Sequence, residues 1–291
     1  MPASPLALTS AALALLLVLL ALRPTREWLL TLVLYLVLGV YTHAIQWTQR
    51  PPPVTLAARQ ATGHLPLPTL DWRDPNASAT VRAHLRSSVP LRITHAPPWV
   101  RAALLPLTQR TASSNANITI DTFYFPDLGR FGDWMRDEWA TRAIYAARFR
   151  GKYKAGFAHM DYFASFNVYY VYTGTKRVQL VPWYHSESRP LAHGFDSAHV
   201  EGSLEAAEWH KAYPAYYDFD VAPNDVLLFN SSACLHKFTN TTPYTDIASI
   251  HTLSQYAAPV VHRGERWNWA TARYFAGIVM EGKTERNPYE V

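Results

Sequence analysis

The amino-terminal 50 residues contain two long apolar runs, at positions 5–22 and 28–45. Neither run contains an Asp, Glu, Lys or Arg residue. An uncharged stretch of about 18 residues is long enough to cross the hydrocarbon core of a bilayer as a helix. Residues 1–50 are therefore predicted to form one or two transmembrane helices, and a pair of helices buried in a protein core is the alternative.

Two arginines between these runs predict the orientation of the chain in a membrane. Arg23 and Arg26 lie in the short connection, where Glu27 is the only acidic residue. Short connections rich in Lys and Arg stay on the cytosolic side, so the remainder of the chain is expected on the opposite side. The predicted location is the membrane, with the folded domain in the lumen of the secretory pathway, in the ER or Golgi.

Four Asn-x-Ser/Thr sequences bear on this location. The two that begin at Asn76 and Asn117 lie in stretches predicted as loops, and we expect them to be glycosylated in a lumenal protein. The two that begin at Asn230 and Asn240 flank a predicted strand, where we expect them to be out of reach of a transferase. The chain is therefore predicted to be a glycoprotein.

Proline spacing and apolar periodicity divide the rest of the chain. The consecutive prolines at 51–53 are typical of a stiff, extended spacer. Helical spacing of aromatic and apolar residues predicts helices over 133–148 and 265–281. The expected organisation is transmembrane helices in 1–50, a Pro-rich spacer with the amino-terminal part of the lumenal region in 51–110, a catalytic domain in 111–262 and a helical tail in 263–291.

The segment 157–171 predicts β-structure. It is rich in Phe, Tyr and Val and contains no Pro or Gly, which favours a strand or a pair of strands. If the segment is one pleated run, its odd positions share a face, because side chains alternate with period two. That face would hold His159, Asp161, Asn167 and Tyr169.

Turn residues separate several further strands. Gly174-Thr175 is predicted to form a turn before a strand over 176–182. The sequence Ala-Pro-Asn-Asp at 222–225 is predicted to form a β-turn between the apolar runs 217–221 and 226–229. Several short strands joined by such turns predict a mainly β fold, either a sandwich or a barrel.

Composition argues against a nucleic-acid-binding protein and against a protein stabilised by disulfides. The net charge is only +5, and the polar balance is not that of a nucleic-acid-binding protein. Arg148, Arg150, Lys152 and Lys154 form a basic face of a predicted strand. Such faces are commonly solvated edges, and a patch that attracts an acidic substrate is the alternative. The single cysteine, Cys234, excludes a disulfide within the chain, so the fold depends on its apolar core.

The residues with candidate chemistry are His159, Asp161 and His236. Two imidazoles and one carboxylate on one face of a metal leave the opposite coordination positions open, and this ligand set suits iron(II). A His-x-Asp pair is a weak signal by itself, because the chain contains 12 histidines. The order of the three residues and the turns between them make a predicted metal site.

A longer motif surrounds these three residues. In chain order it contains His159-x-Asp161, Gly174-x-Lys176-Arg177-Val178-x-Leu180-x-Pro182, Asn224-Asp225-Val226-Leu227, His236 and Asn240. This order resembles the cupin-like JmjC family, whose members are iron(II)- and 2-oxoglutarate-dependent oxygenases. The resemblance covers residues 150–243 and implies a double-stranded β-helix, the cupin or jelly-roll fold, with flanking helices.

The resemblance also implies roles for the site residues. The two histidines and the aspartate would hold Fe(II), and Lys176 would bind the distal carboxylate of 2-oxoglutarate. Asn167 would line the pocket of this cosubstrate, and Tyr169 is expected to line the same cavity. The implied reaction hydroxylates a substrate while 2-oxoglutarate is oxidised to succinate.

Departures from the family pattern leave alternatives open. The segment between Asp161 and Asn167 is longer than in the asparaginyl hydroxylase branch, and Gly156 stands where a Thr often contacts the cosubstrate. The prediction is a membrane-anchored oxygenase that hydroxylates a protein and binds no nucleic acid. The alternatives are a non-catalytic metal-binding cupin that serves as an interaction module, and a cupin enzyme that acts on a sugar or lipid without 2-oxoglutarate.

Overall fold

The computed structural model describes residues 22–48, 51–96, 118–122, 143–151, 158–161, 165–186 and 208–253, together with residues 256, 269, 272, 273, 276 and 280. The chain divides into two compact units. One unit consists of residues 1–44 and 266–282, and the other consists of residues 45–265 and 283–291. The second unit contains the site residues predicted from the sequence.

The described part of this second unit is mainly β. Its eleven strands are β1 Gly63–His64, β2 Thr69–Asp71, β3 Leu91–Thr94, β4 Ile118–Thr122, β5 Ala143–Gly151, β6 Ser165–Thr173, β7 Lys176–Pro182, β8 Ala215–Val221, β9 Val226–Asn230, β10 Cys234–Asn240 and β11 Thr245–Leu253. The described helices of the whole chain are α1 Arg23–Thr48, α2 Leu56–Gln60, α3 Ala77–Ser87 and α4 Trp183–Ser186, with a 3₁₀ turn at Trp209–Ala212.

The strands form two sheets. The smaller sheet has the order β1-β8-β7-β10, and the larger has the order β2-β3-β9-β6-β11-β5-β4. A short segment at His159 adds to the edge of the smaller sheet through a bridge to His236 of β10. From β5 onward, the strands β5, β6, β9 and β11 lie in the larger sheet, and the His159 segment, β7, β8 and β10 lie in the smaller sheet. The chain therefore passes back and forth between the two sheets. This alternation is the topology of a jelly roll, and it confirms the predicted mainly β, cupin-like fold.

An apolar cluster fills the space between the two sheets. Its buried members are Tyr169, Val171, Leu227, Phe229 and Ile247 from the larger sheet and Val178, Leu180, Tyr217, Val221, Cys234 and Phe238 from the smaller sheet. Along each strand these residues are separated by even numbers of positions, because alternate side chains of a strand point to the same face. Asn167 shares the inward face of β6 with Tyr169 and Val171, in agreement with the predicted alternation.

The segment 51–110, predicted as a Pro-rich spacer with the amino-terminal part of the lumenal region, contributes strands to both sheets. β1 pairs with β8, and β2 and β3 extend the larger sheet beyond β9. Ala77, Val81 and Leu85 of α3 pack on the outer face of the larger sheet, where all three are almost completely buried. Residues 63–94 therefore belong to the β domain.

Two turns predicted from the sequence are present. Gly174 has a φ of +78° and Asn224 has a φ of +69°, so both adopt the left-handed conformation. Glycine is required at the first turn, because a Cβ atom there would collide with the carbonyl oxygen of Tyr244. Asparagine tolerates this conformation better than most residues. The first turn places Lys176 at the start of β7, as predicted.

The helix predicted over 133–148 is wrong in its described part. Residues 133–142 lie outside the described residues, whereas 143–148 form most of β5, which pairs with β4 on one side and β11 on the other. Pairing along both edges of the strand outweighs the local helical spacing of its apolar residues. In the helix predicted over 265–281, the described residues have helical backbone conformation.

The second apolar run lies within α1, a helix of 26 residues. Trp28 and Tyr35 of this helix contact Trp269, with ring centroids 6.1 and 5.8 Å apart, and Arg273 pairs with Glu27 at 3.3 Å. Within the residues that the structure describes, no helix combines the length and the apolar character needed to cross a membrane. The predicted span at 28–45 is therefore not supported, and the run at 5–22 lies almost entirely outside the described residues.

Candidate metal centre

His159 and His236 lie directly opposite each other at the edge of the smaller sheet. The His159 amide donates a hydrogen bond of 3.0 Å to the His236 carbonyl, and the His236 amide donates one of 2.8 Å to the His159 carbonyl. Opposite residues of an antiparallel pair project to the same face. The two rings accordingly lie side by side, with centroids 4.3 Å apart.

Asp161 follows on the same segment as His159. Its amide donates a hydrogen bond of 2.9 Å to the Ser231 carbonyl. Its Oδ1 lies 3.7 Å from Nε2 of His159 and 3.9 Å from Nε2 of His236. All three ligand atoms lie within 4.8 Å of one another, which leaves room for one metal ion between them. The structure therefore brings the three predicted ligands together.

The segment 157–171 is not one pleated run. His159 pairs with the smaller sheet, whereas β6, from Ser165 onward, belongs to the larger sheet. The chain passes from one sheet to the other between Asp161 and Ser165. Asp161 and Asn167 therefore face the same interior from different sheets, and of the two alternatives for this segment the structure has the pair of β segments and not the single run.

The backbone determines the tautomer of His236. Its Nδ1 lies 3.0 Å from the carbonyl oxygen of Cys234, which only accepts hydrogen bonds, so Nδ1 carries the proton. The lone pair is then on Nε2, the nitrogen nearest Asp161. Metal-ligating histidines commonly donate their second ring N–H to a carbonyl in this way. Burial, and next the neighbouring His159, lower the pKa of His236 to about 3, so its ring is neutral at neutral pH.

Asp161 is ionised although it is partly buried. Burial raises the pKa of its carboxyl, but the surrounding imidazoles of His251, His236 and His159 lower it by more, and the pKa lies well below its ordinary value. An anionic carboxylate beside imidazole nitrogens is a donor set that suits a divalent transition metal. The residues present therefore fit the predicted iron(II).

Lys176 lies in the same interior as these ligands. It shares the inward face of β7 with Val178 and Leu180, and only 2% of its surface is exposed. Leu180 pairs with His236, and Lys176 lies four residues before Leu180 on the same strand. At the rise of a β-strand, four residues correspond to about 13 Å. Burial lowers the pKa of Lys176 to about 8.

Tyr169 and Asn167 enter the interior from β6. Tyr169 stacks on Phe238 with ring centroids 4.5 Å apart. Asn167 accepts a hydrogen bond of 2.8 Å from the Ser249 hydroxyl, and its Nδ2 lies 3.3 Å from Nε2 of His251. The predicted pocket residues thus line the interior, and Asn167 is engaged by two neighbours on β11.

His251 is a site residue that the sequence analysis missed. It pairs with Asn167 across β11 and β6, and its Nδ1 lies 3.2 Å from Oδ2 of Asp161. The sequence contains one weak signal for it, the alternation of Ser249 and His251 on one face of a strand that follows the motif. Nothing local in the sequence links His251 to Asp161.

A second group of potential ligands, Glu208, His210 and Asp218, lies outside this interior. Arg177 forms a two-pronged ion pair with Asp218 and lies 3.2 Å from Glu208. Lys211 pairs with Glu208 at 2.6 Å. Because cations of the protein already occupy both carboxylates, this group is an ion-pair network and not a second metal site.

No protein-family model matches this chain, and no curated protein matches it. Several solved structures resemble it at 13% sequence identity. The non-heme α-ketoglutarate-dependent epimerase SnoN from nogalamycin biosynthesis matches over 62% of this chain and 84% of its own, with a TM-score of 0.37. An oxidoreductase of the 2OG-Fe(II) oxygenase family from Burkholderia pseudomallei matches over 65% of this chain and 99% of its own, also with a TM-score of 0.37.

The coconut allergen cocosin matches at the same identity over 50% of this chain and 29% of its own, with a TM-score of 0.27. Likenesses this distant do not assign a function. The chain's own site residues carry the functional proposal.

Proposed function

We propose that this chain is an iron(II)- and 2-oxoglutarate-dependent oxygenase. The observation that carries the proposal is the convergence of His159, Asp161 and His236 inside a jelly roll whose interior also holds the buried Lys176. Three ligands on one side of a metal leave the other coordination positions open to small molecules. When bound, iron(II) would supply a site at which 2-oxoglutarate and dioxygen react.

Lys176 is proposed to bind the distal carboxylate of 2-oxoglutarate. Loss of hydration lowers its pKa to about 8, and a carboxylate bound beside it would favour the charged form again. The backbone of Lys176 lies about 13 Å along β7 from Leu180, the residue that pairs with His236. An extended lysine side chain would span part of this distance. This spacing suits a small dicarboxylate that ligates the metal with its other end.

The aromatic side chains of the interior are proposed to keep water away from the metal. Phe229 and Phe238 contact the His236 ring at centroid distances of 5.3 and 5.9 Å, and Tyr169 stacks on Phe238. A dry surrounding strengthens the interaction of Lys176 with an anion. It also protects reactive species formed at the metal from side reactions.

The substrate is proposed to be a protein, and the reaction a hydroxylation. This proposal rests on the resemblance of the motif around His159 and Lys176 to a family that contains protein hydroxylases. A location in the lumen of the secretory pathway is likewise a proposal. It rests on the sequons, of which the one at Asn76 is exposed in the structure.

Succinate formation tests the proposed activity. The purified chain would be loaded with iron(II) and mixed with 2-oxoglutarate in air, with and without a protein extract as the source of substrate. We expect succinate to form with the wild type and not with His236→Ala, because that variant lacks a metal ligand. Equal succinate from the two proteins in both mixtures would overturn the proposal.

A metal-binding module without oxygenase activity is the second candidate. The contacts of Asn167 favour this candidate. The resemblance assigns Asn167 to the cosubstrate pocket, but its amide is already engaged by Ser249 and His251. In this case the chain would bind metal but not 2-oxoglutarate. Calorimetric titration of the metal-loaded protein with 2-oxoglutarate under nitrogen separates the two candidates.

A further inference from the structure

We infer that His251 is a positioning residue that holds Asp161 so that only one of its carboxylate oxygens ligates the metal. The inference rests on the proposed metal site and deepens it. It concerns a residue outside the motif that identified the three ligands. The contacts of Asp161 with three different histidines carry the inference.

The two oxygens of Asp161 have different surroundings. Oδ1 faces Nε2 of His159 at 3.7 Å and Nε2 of His236 at 3.9 Å, whereas Oδ2 lies 3.2 Å from Nδ1 of His251. This is an ion-pair distance, and because a carboxylate only accepts hydrogen bonds, His251 stabilises Oδ2 when its Nδ1 carries the proton. Oδ1 is thus directed to the metal position and Oδ2 is directed away from it.

The partners of His251 on its other side support this proton placement. The Ser249 hydroxyl donates its single proton to Oδ1 of Asn167 at 2.8 Å. Nε2 of His251 lies 3.3 Å from Nδ2 of Asn167 and 3.1 Å from the Ser249 hydroxyl. An amide nitrogen only donates, so the approach of Asn167 favours a lone pair on Nε2 and the proton on Nδ1. Ser249 and Asn167 therefore hold the His251 ring from its Nε2 side.

The network is held on a rigid support. Asn167 and His251 are paired residues of the hydrogen-bonded strands β6 and β11, and Ser249 lies two residues before His251, on the same face of β11. All three side chains are buried. Buried hydrogen bonds are stronger than exposed ones, because water does not compete for the partners. The larger sheet thereby orients a ligand that arrives from the smaller sheet.

This arrangement has a consequence for the open face of the metal. A carboxylate that binds through both oxygens occupies one more coordination position than a carboxylate that binds through one. With Oδ2 engaged by His251, Asp161 takes a single position. The remaining positions then stay available to small molecules.

Two substitutions of His251 separate its hydrogen bond from its bulk. In His251→Asn, the amide Nδ2 is the same number of bonds from the backbone as Nδ1 of histidine, so it can donate to Asp161. In His251→Leu, the donor is lost and the volume is roughly kept. Ser249→Ala removes a hydroxyl that contacts both Asn167 and Nε2 of His251, and it leaves the His251 side chain itself unchanged. His64→Ala, which changes an exposed histidine of β1, is the control.

The measurements are the dissociation constant of Mn(II) and the visible absorption spectrum of the Co(II)-loaded protein, which reports coordination. His251→Leu should bind Mn(II) about 10- to 100-fold more weakly than the wild type and should show a changed Co(II) spectrum. His251→Asn should restore most of the affinity and the original spectrum. Ser249→Ala should show a smaller loss, and His64→Ala should show none.

Wild-type affinity and spectrum in His251→Leu would overturn the inference, as would equal losses in His251→Leu and His251→Asn. If His251→Leu does not fold, as judged by circular dichroism of the metal-free protein, Ser249→Ala decides by the same two readouts. The proposed metal site fails separately: it is overturned if His159→Ala binds Mn(II) as tightly as the wild type does.

Discussion

The main chains of His159 and His236 are joined by two hydrogen bonds, of 3.0 and 2.8 Å. Each of these two ligands is therefore positioned by the backbone of the other. The pairing is a single bridge at the edge of the smaller sheet. The separation of the two imidazoles consequently depends on the register of β10, and any change in that register would alter the metal site.

Removal of one ligand should release most of the metal. The wild type should retain about one iron or manganese per chain, because a single set of three donors surrounds one position. Asp161→Ala and His236→Ala leave two donors each, and we expect both to lose most of the metal on dialysis. Elemental analysis measures this, with His64→Ala as the control. Full metal content in both ligand variants would contradict the proposed site.

Lys176→Ala should weaken 2-oxoglutarate binding and leave metal binding intact. A charge-assisted hydrogen bond contributes roughly 1.5–3 kcal/mol, which corresponds to about a 10- to 100-fold change in Kd. Lys176→Arg should restore only part of the affinity, because a planar guanidinium does not occupy the position of an ammonium. Calorimetry under nitrogen measures both effects. An unchanged Kd in Lys176→Ala would favour the metal-binding module.

Binding of 2-oxoglutarate should weaken as the pH rises above about 8. Burial lowers the pKa of Lys176 to about 8, so the free protein loses this positive charge in a range where an exposed lysine keeps it. The dianion binds the charged form, so affinity should be highest below this pKa and fall by up to about tenfold per pH unit above it. In Lys176→Arg this dependence should disappear, because arginine stays protonated. Titrations on both sides of pH 8 provide the test, and equal pH profiles for the two proteins would refute it.

Gly174→Ala should destabilise the fold more than Gly63→Ala. Both glycines have a positive φ, +78° and +76°, which costs a residue with a Cβ about 1–2 kcal/mol. At Gly174 the Cβ would also collide with the Tyr244 carbonyl oxygen, whereas nothing lies within 4 Å of a Cβ at Gly63. We expect this collision to add about 1–3 kcal/mol. Urea unfolding of the two variants measures the difference, and equal midpoints would show that the turn adapts.

If the chain is made in the secretory pathway, Asn76 should carry a glycan and Asn230 should not. Asn76 is exposed at the start of α3. Asn230 is completely buried and donates hydrogen bonds to Ser88 and to the carbonyl of Tyr256. Synthesis with microsomes, followed by glycosidase treatment, should show a mass shift that Asn76→Gln reduces and Asn230→Ala does not. The absence of any glycan on Asn76 would count against a lumenal domain.

Local chemistry in the sequence determined the turns and several strands of this protein. Gly174 and Asn224 adopt the left-handed conformations that their residue types favour, and the strand predicted over 176–182 has the same bounds as β7. The inward face of β6 follows from the alternation of its residues. These features are predictable because their signals lie within a few positions of each other.

Tertiary structure decided the features that depend on partners distant in the chain. Residues 143–148 form a strand because β4 and β11 pair with both of its edges, although their own spacing favours a helix. The contact of His251 with Asp161 exists because β11 lies beside β6 in the larger sheet. Residue type and local period indicate which side chains face inward, but pairing between distant strands determines which of them meet.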